Sequence, residues 1–194
     1  MNFLAHIFLS GNNPSIQIGN FIGDFVKGKE IEEFPDEIQS GIMLHRKIDE
    51  YTDQHPVVLQ SKIRLRPMYH HYSPVIVDVY YDHFLAKYWQ SYHELPLKDF
   101  TLRFYKMTED FSEWLPSRTQ NILHYMRSDD WLFNYQYVEG IDRALSGMAR
   151  RTRFTSKMEH ASESLKENYT SFREEFSLFF PDLQKVSKDF IDNL

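Results

Sequence analysis

Two polar pairs set into apolar helical stretches carry the strongest chemical signal in this sequence. In Val75-Ile76-Val77-Asp78-Val79-Tyr80-Tyr81-Asp82-His83-Phe84-Leu85 the two aspartates stand four apart, in line with Val75, Leu85 and Trp89. A helix apolar on nearly every side is buried, and a carboxylate in a core stays ionised only against a cation or a set of hydrogen-bond donors. One such aspartate is ordinarily met by an arginine from another helix; two on one face point toward a metal ion. Gly41-Ile42-Met43-Leu44-His45-Arg46-Lys47-Ile48-Asp49 repeats the arrangement, with His45 and Asp49 one turn apart on the stripe of Ile38 and Ile42. An imidazole and a carboxylate at that spacing are well placed to hold one cation.

Other candidates are weaker by themselves. In Gly19-Asn20-Phe21-Ile22-Gly23-Asp24-Phe25-Val26-Lys27-Gly28, Gly19 and Gly23 clear one helical face so that a backbone or a substrate can approach. Asp24 follows on that side, and Gly28 has the position of a C-terminal cap. His6 lies in an apolar first helix, where a ring hydrogen-bonded to a carbonyl is the ordinary arrangement. Asp53 and His55 read as capping and turn residues, His70 and His71 as part of a wet aromatic loop, and His93, His124 and His160 as surface.

Lys62-Ile63-Arg64-Leu65-Arg66 and Arg150-Arg151-Thr152-Arg153 are basic clusters in a chain of net charge −6. They suit a small acidic protein or a phosphate-bearing substrate better than nucleic acid. Glycine-rich phosphate loops, the serine nucleophile elbow and H-E-x-x-H do not occur, nor does a paired Glu-x-x-His for a di-iron bundle. With no cysteine, any metal is held by His and carboxylates, which suits harder divalent ions.

Helices must position these residues. The 194 residues, 42% hydrophobic and 26% charged, are enough to build a core and are not the composition of a disordered chain. Pro14, Pro35, Pro56, Pro74, Pro96 and Pro116 stand where helices start, and Asn13-Pro14 and Ser73-Pro74 read as an N-cap followed by the first helical position. Spacing predicts helices near 2–9, 15–27, 36–53, 57–66, 74–92, 98–113, 117–128, 138–149 and 155–190, the last interrupted at Pro181. Residues 129–137 fit either a helix or an aromatic loop. The expectation is an all-α chain forming a single domain over 1–194, since no repeat or linker divides it. No window approaches the ~18 apolar residues of a membrane span, and no basic leader opens the chain, so a cytoplasmic protein is expected.

Four motifs in order give the chain a resemblance to the bacterial acyl carrier protein phosphodiesterases. They are Met1-Asn2-Phe3-Leu4-Ala5-His6, the stretch Gly19 to Gly28, Gly41-Ile42 with His45-Arg46-Lys47-Ile48-Asp49 and Thr52-Asp53, and Val77 to Leu85. The resemblance runs more weakly through Gly147-Met148-Ala149. That family looks like a divergent branch of the HD phosphohydrolases, all-α metalloenzymes, although no His-Asp dipeptide occurs here. The resemblance implies an HD-phosphohydrolase-like fold and manganese- or magnesium-dependent hydrolysis. Water would cleave the phosphodiester joining 4′-phosphopantetheine to a serine of holo-acyl carrier protein.

On that reading Asp24, His45, Asp49 and Asp78 hold the divalent ion, Mn2+ or Mg2+. Asp82 or His6 accepts the water's proton or orients a ligand, and Arg46 steadies the phosphate or docks an acidic partner. Lys27, Lys29, Lys47, Lys62, Arg64 and Arg66 collect the acidic helices of the carrier. Two other readings share these features. One is an HD-type hydrolase of a nucleotide or another small phosphoester; the other is a non-catalytic helical module that binds the carrier, which leaves the inward carboxylates without a cation.

Overall fold

The computed structural model describes residues 1–194, and every regular element in it is helical, as the spacing predicts. In order these are α1 (Phe3–Leu9), α2 (Pro14–Ile22), α3 (Asp36–Gln54), α4 (Pro56–Tyr69), α5 (Ser73–Lys87) and α6 (Leu97–Asp110). They are followed by α7 (Ser117–Ser128), α8 (Trp131–Asn134), α9 (Val138–Arg151), α10 (Ala161–Glu167) and α11 (Tyr169–Asp192). No helix is long and apolar enough to cross a membrane.

Caps and prolines set several starts. Pro14 opens α2 behind Asn13, whose Oδ1 accepts from the amides of Ser15 and Ile16 at 2.9 and 3.3 Å. His55 serves α4 in the same way, its Nδ1 accepting from the Val57 amide. Ser73 does not cap α5, however. It is the first helical residue, and its hydroxyl donates backward to the His70 carbonyl at 2.8 Å.

Several boundaries differ from the periodicity, among them the end of α5, expected at 92 and found at Lys87 ahead of a 3₁₀ turn over Trp89–Ser91. The helix expected over 15–27 ends at Ile22 and tightens into a 3₁₀ turn over Gly23–Phe25. Gly28, with φ +52, opens the next 3₁₀ turn instead of closing α2, because the Lys27 amide donates to the Glu30 carboxylate of that turn. In the C-terminal third the break falls at Asn168, between α10 and α11, and Pro181 rides inside α11. Pro181 is exposed while Phe179, Phe180 and Leu183 beside it are fully buried, so packing of the apolar face outweighs one lost amide bond. Within 129–137 the chain forms the short α8, entered through Asp130 in the left-handed region.

The contact that matters most for the site is backbone against backbone. A Cβ on Gly19 of α2 would lie 2.1 Å from the Ile38 carbonyl oxygen, and one on Gly41 of α3 would lie 2.3 Å from that of Ile16. Only glycine at both positions lets α2 and α3 approach this closely. Across the molecule α11 is tied to α4 by Arg64, whose two terminal nitrogens each reach a Glu175 oxygen at 2.7 Å. The Ser61 and Tyr81 hydroxyls complete that buried group.

Candidate metal centre

His45 and Asp49 project from one face of α3, as their spacing requires, and meet His6 of α1. The His6 and His45 rings stack with centroids 4.1 Å apart. His6 Nε2 lies 3.3 Å from Asp49 Oδ1, and His45 Nε2 lies 3.2 Å from Asp49 Oδ2 and 3.4 Å from Asp24 Oδ1.

The other nitrogen of each ring is committed to a single residue. Asn20, fully buried on α2, takes His6 Nδ1–H on its side-chain oxygen at 2.7 Å and His45 Nδ1–H on its backbone oxygen at 2.8 Å. Its amide nitrogen donates to the His6 carbonyl and the Ser10 hydroxyl, both at 2.9 Å, which fixes Oδ1 as the acceptor. In their neutral forms, with Nδ1 protonated, both rings turn an Nε2 lone pair toward carboxylate oxygens. His45 Nε2 is buried with no hydrogen-bond partner. Acceptors converging on acceptors, one of them orphaned, are what a bound cation satisfies. His6, His45 and Asp49 form a group that fits a divalent metal.

Charge follows the same geometry. A proton can stand in for the cation at His45 Nε2: burial opposes the charged ring, but Asp24 and Asp49 outweigh it and carry the ring up to about 9. Burial, reinforced by the neighbouring His45, carries His6 down to about 4. Burial alone would raise Asp49; the two histidines instead hold it far below the usual carboxylate range. Gly23 makes the arrangement possible, since a Cβ there would sit 2.3 Å from His45 Cγ.

The other expected site residues fall at different distances from this cluster. Asp24 is at its edge, with two-thirds of its side chain exposed. Asp78 is one step further out. Its Oδ1 lies 3.0 Å from the Met1 ammonium, which is itself 3.6 Å from Asp49, so the cation that meets Asp78 is the Met1 amine and not an arginine. Asp82 faces away. Its carboxylate accepts from the amides of Asn2 at 3.2 Å, Leu4 at 2.7 Å and Ala5 at 3.3 Å, and so caps the N-terminus of α1 from α5. Arg46 is exposed beside Met43 and has no carboxylate partner.

Of the expected docking cations, Arg64 is spent on Glu175, Lys62 on Asp53 at 2.7 Å and Lys47 on Glu50 at 3.3 Å. Lys27, Lys29 and Arg66 are exposed. His93, expected at the surface, is half-buried and stacked on Trp89. Asn20 was legible in principle. It is a polar residue between Ile18, Phe21 and Ile22, and the argument that flagged Asp78 and Asp82 applies to it equally.

A family model described as acyl carrier protein phosphodiesterase matches residues 1–183. The chain is 33% identical over 190 residues to the acyl carrier protein phosphodiesterase of Enterobacter sp. (strain 638), covering 97% of this chain and 98% of that one. It is 33% identical over 189 residues to that of Yersinia pestis, with the same coverage. It is 34% identical over 182 residues to that of Shigella boydii serotype 18, covering 93% and 94%. No solved structure matches. A whole-chain match of this kind, together with a polar cluster built from the very motifs that run through the sequence, means that the chain belongs to the acyl carrier protein phosphodiesterase family.

Proposed function

We propose that this protein is a cytoplasmic, divalent-metal-dependent phosphodiesterase that removes 4′-phosphopantetheine from holo-acyl carrier protein. The observation that carries the reading is the convergence of His6 Nε2, His45 Nε2 and Asp49 with a buried ring nitrogen left unpartnered. These three residues would hold the ion, Mn2+ or Mg2+ as the family resemblance implies, with the carboxylate supplying the hard oxygen ligand that suits either. When bound, such an ion supplies a Lewis acid for the phosphate and lowers the pKa of a water.

In the reaction the water oxygen bonds to phosphorus, the P–O bond to the carrier serine breaks, and a proton goes to the serine oxygen. Asp24 is the group best suited to accept the water's proton. Its carboxylate stands at the edge of the cluster, open to solvent beside the His45 ring. Arg46, next to His45 and free of carboxylates, contacts the phosphate. Asp78 braces Asp49 through the Met1 ammonium, and Asp82 holds the helix that carries His6. His6 is thus assigned to the metal and not to proton transfer.

The test is to incubate metal-stripped protein with holo-carrier, with and without Mn2+, and to follow the carrier's intact mass. Loss of the phosphopantetheine mass only with Mn2+, abolished in His45→Ala, is the expected result. An intact carrier alongside Mn2+-dependent cleavage of a small phosphodiester would transfer the assignment to the small-phosphoester hydrolase.

A further inference from the structure

Residues 143–158 contain Arg143, Arg150, Arg151, Arg153 and Lys157 and no carboxylate, in a chain whose net charge is −6. Some cations elsewhere are neutralised locally, as Arg64 is by Glu175, Lys98 by Asp130 and Arg127 by Glu109, while others such as Arg46 and Arg66 stand singly. None of these five forms an ion pair. Arg143, Arg150 and Arg151 stand round a 530 Å³ cavity beside the rings of Tyr125 and Trp131. Arg150 also borders a neighbouring hollow with Arg153 and Phe154. Phe154 is 68% exposed and Tyr125 58% exposed, so apolar rings and unpaired guanidinium groups share one surface.

A path of contacts through the interior joins this surface to the candidate metal cluster. Tyr135 lines the cavity, and its hydroxyl accepts from Asn2 Nδ2 at 3.3 Å. Asn2 follows Met1, whose carbonyl oxygen is 3.2 Å from His6 Nε2. A single tyrosine and two residues of chain therefore separate the arginine cavity from the candidate ligands.

We propose that the cavity and its arginine rim form the surface on which an acidic helical face of the carrier protein docks, with the phosphodiester directed to the candidate metal cluster. The inference rests on the phosphodiesterase reading above. The spread of the cations favours a protein over a small anion. They extend over two hollows instead of converging on one point, and Asp129 and Asp142 line the same cavity, which disfavours a compact polyanion. The cations at the other end of the chain make a poorer surface, because Lys27 and Lys29 are followed at once by Glu30, Glu32 and Glu33.

The test uses apo-carrier, which cannot turn over, in calorimetric binding to the intact protein at low salt. Triple reversal R143E/R150E/R151E should raise Kd at least tenfold and flatten its salt dependence, whereas K27E/K29E/R66E should change it less than twofold. Mn2+ affinity and melting temperature report that the fold is intact, and Arg151→Gln alone, with a twofold to threefold effect, covers the case in which the triple variant does not fold. Unchanged binding in the arginine variants, loss confined to the lysine variants, or preference for an oligonucleotide over the carrier would overturn the proposal. The two readings separate cleanly. A wild-type protein that strips the carrier while the arginine triple variant binds normally defeats the docking surface alone; one that binds the carrier through these arginines without stripping it defeats the hydrolase reading alone.

Discussion

The ring of His6 lies against the ring of His45, planes within 19°, and both Nε2 atoms turn to the same carboxylate, that of Asp49. Two protonated rings in that stack would repel, and the protein keeps them apart electrostatically, with His6 carried down to about 4 and His45 up to about 9. One cation shared among the three side chains removes the conflict, and the residues around them serve to keep it that way.

Asn20 sets both tautomers at once. Asn20→Ala removes the acceptor for His6 Nδ1–H and should raise the Mn2+ Kd by about 10- to 100-fold, measured by calorimetry, while the protein stays folded. Unchanged affinity would mean that the ring orientations are set elsewhere.

Gly23→Ala should be far worse than its size suggests. The new methyl would fall 2.3 Å from His45 Cγ and 2.6 Å from its Cβ, so the ring must leave the cluster. Mn2+ affinity should fall more than about tenfold. Gly28→Ala is the matched comparison. It meets open space and strains only a positive φ, costing about 1 kcal/mol of stability and leaving metal binding as it was. Equal Mn2+ affinities in the two variants would contradict the account.

Asp82 divides two roles that look alike in the sequence. As the cap of α1 it is a structural group, so Asp82→Ala should destabilise the protein by about 3 kcal/mol, since three amides, those of Leu4 and Ala5 buried, lose their acceptor. A general base would behave differently. Asp82→Asn would then keep full stability and Mn2+ affinity while kcat fell by about 10² or more. Urea denaturation and kcat measured on one sample tell the two apart.

The sequence made the α3 face legible, because His45 and Asp49 share a stripe whose apolar members predict which way it turns. It placed Asp78 and Asp82 correctly in a buried helix but could not say what meets them, since a metal, an ammonium and a row of helix amides satisfy a carboxylate equally well. His6 as a ligand was hidden for another reason. Its approach to His45 depends on the close contact of α2 with α3 through Gly19 and Gly41, a tertiary fact with no periodic signature. The same holds for Arg64, exposed by its charge in the sequence and consumed by Glu175 from a helix 111 residues away.

His83 gives a pH signature away from the metal. Its Nδ1 donates to the Tyr135 carbonyl at 2.7 Å and its Nε2 accepts from the Tyr169 hydroxyl at 2.9 Å, so the neutral ring is fully satisfied. Burial lowers its pKa from 6.5 to about 4. The unfolded chain therefore binds a proton that the folded one refuses, and stability, complete above pH 6.5, drains as pH falls toward 4. That contribution amounts to about 2 kcal/mol between pH 7 and pH 5. Urea melts of wild type and His83→Gln at those two pH values should show the difference shrinking by that amount in the variant; parallel pH dependences would refute it.

The most direct measurement is anomalous diffraction at the manganese edge from crystals of the Mn2+-loaded protein. A peak is expected within about 2.3 Å of His6 Nε2, His45 Nε2 and an Asp49 oxygen, with Asn20 still holding both Nδ1 atoms. A peak on other residues, or none at saturating Mn2+ with the two rings still stacked, would contradict that expectation.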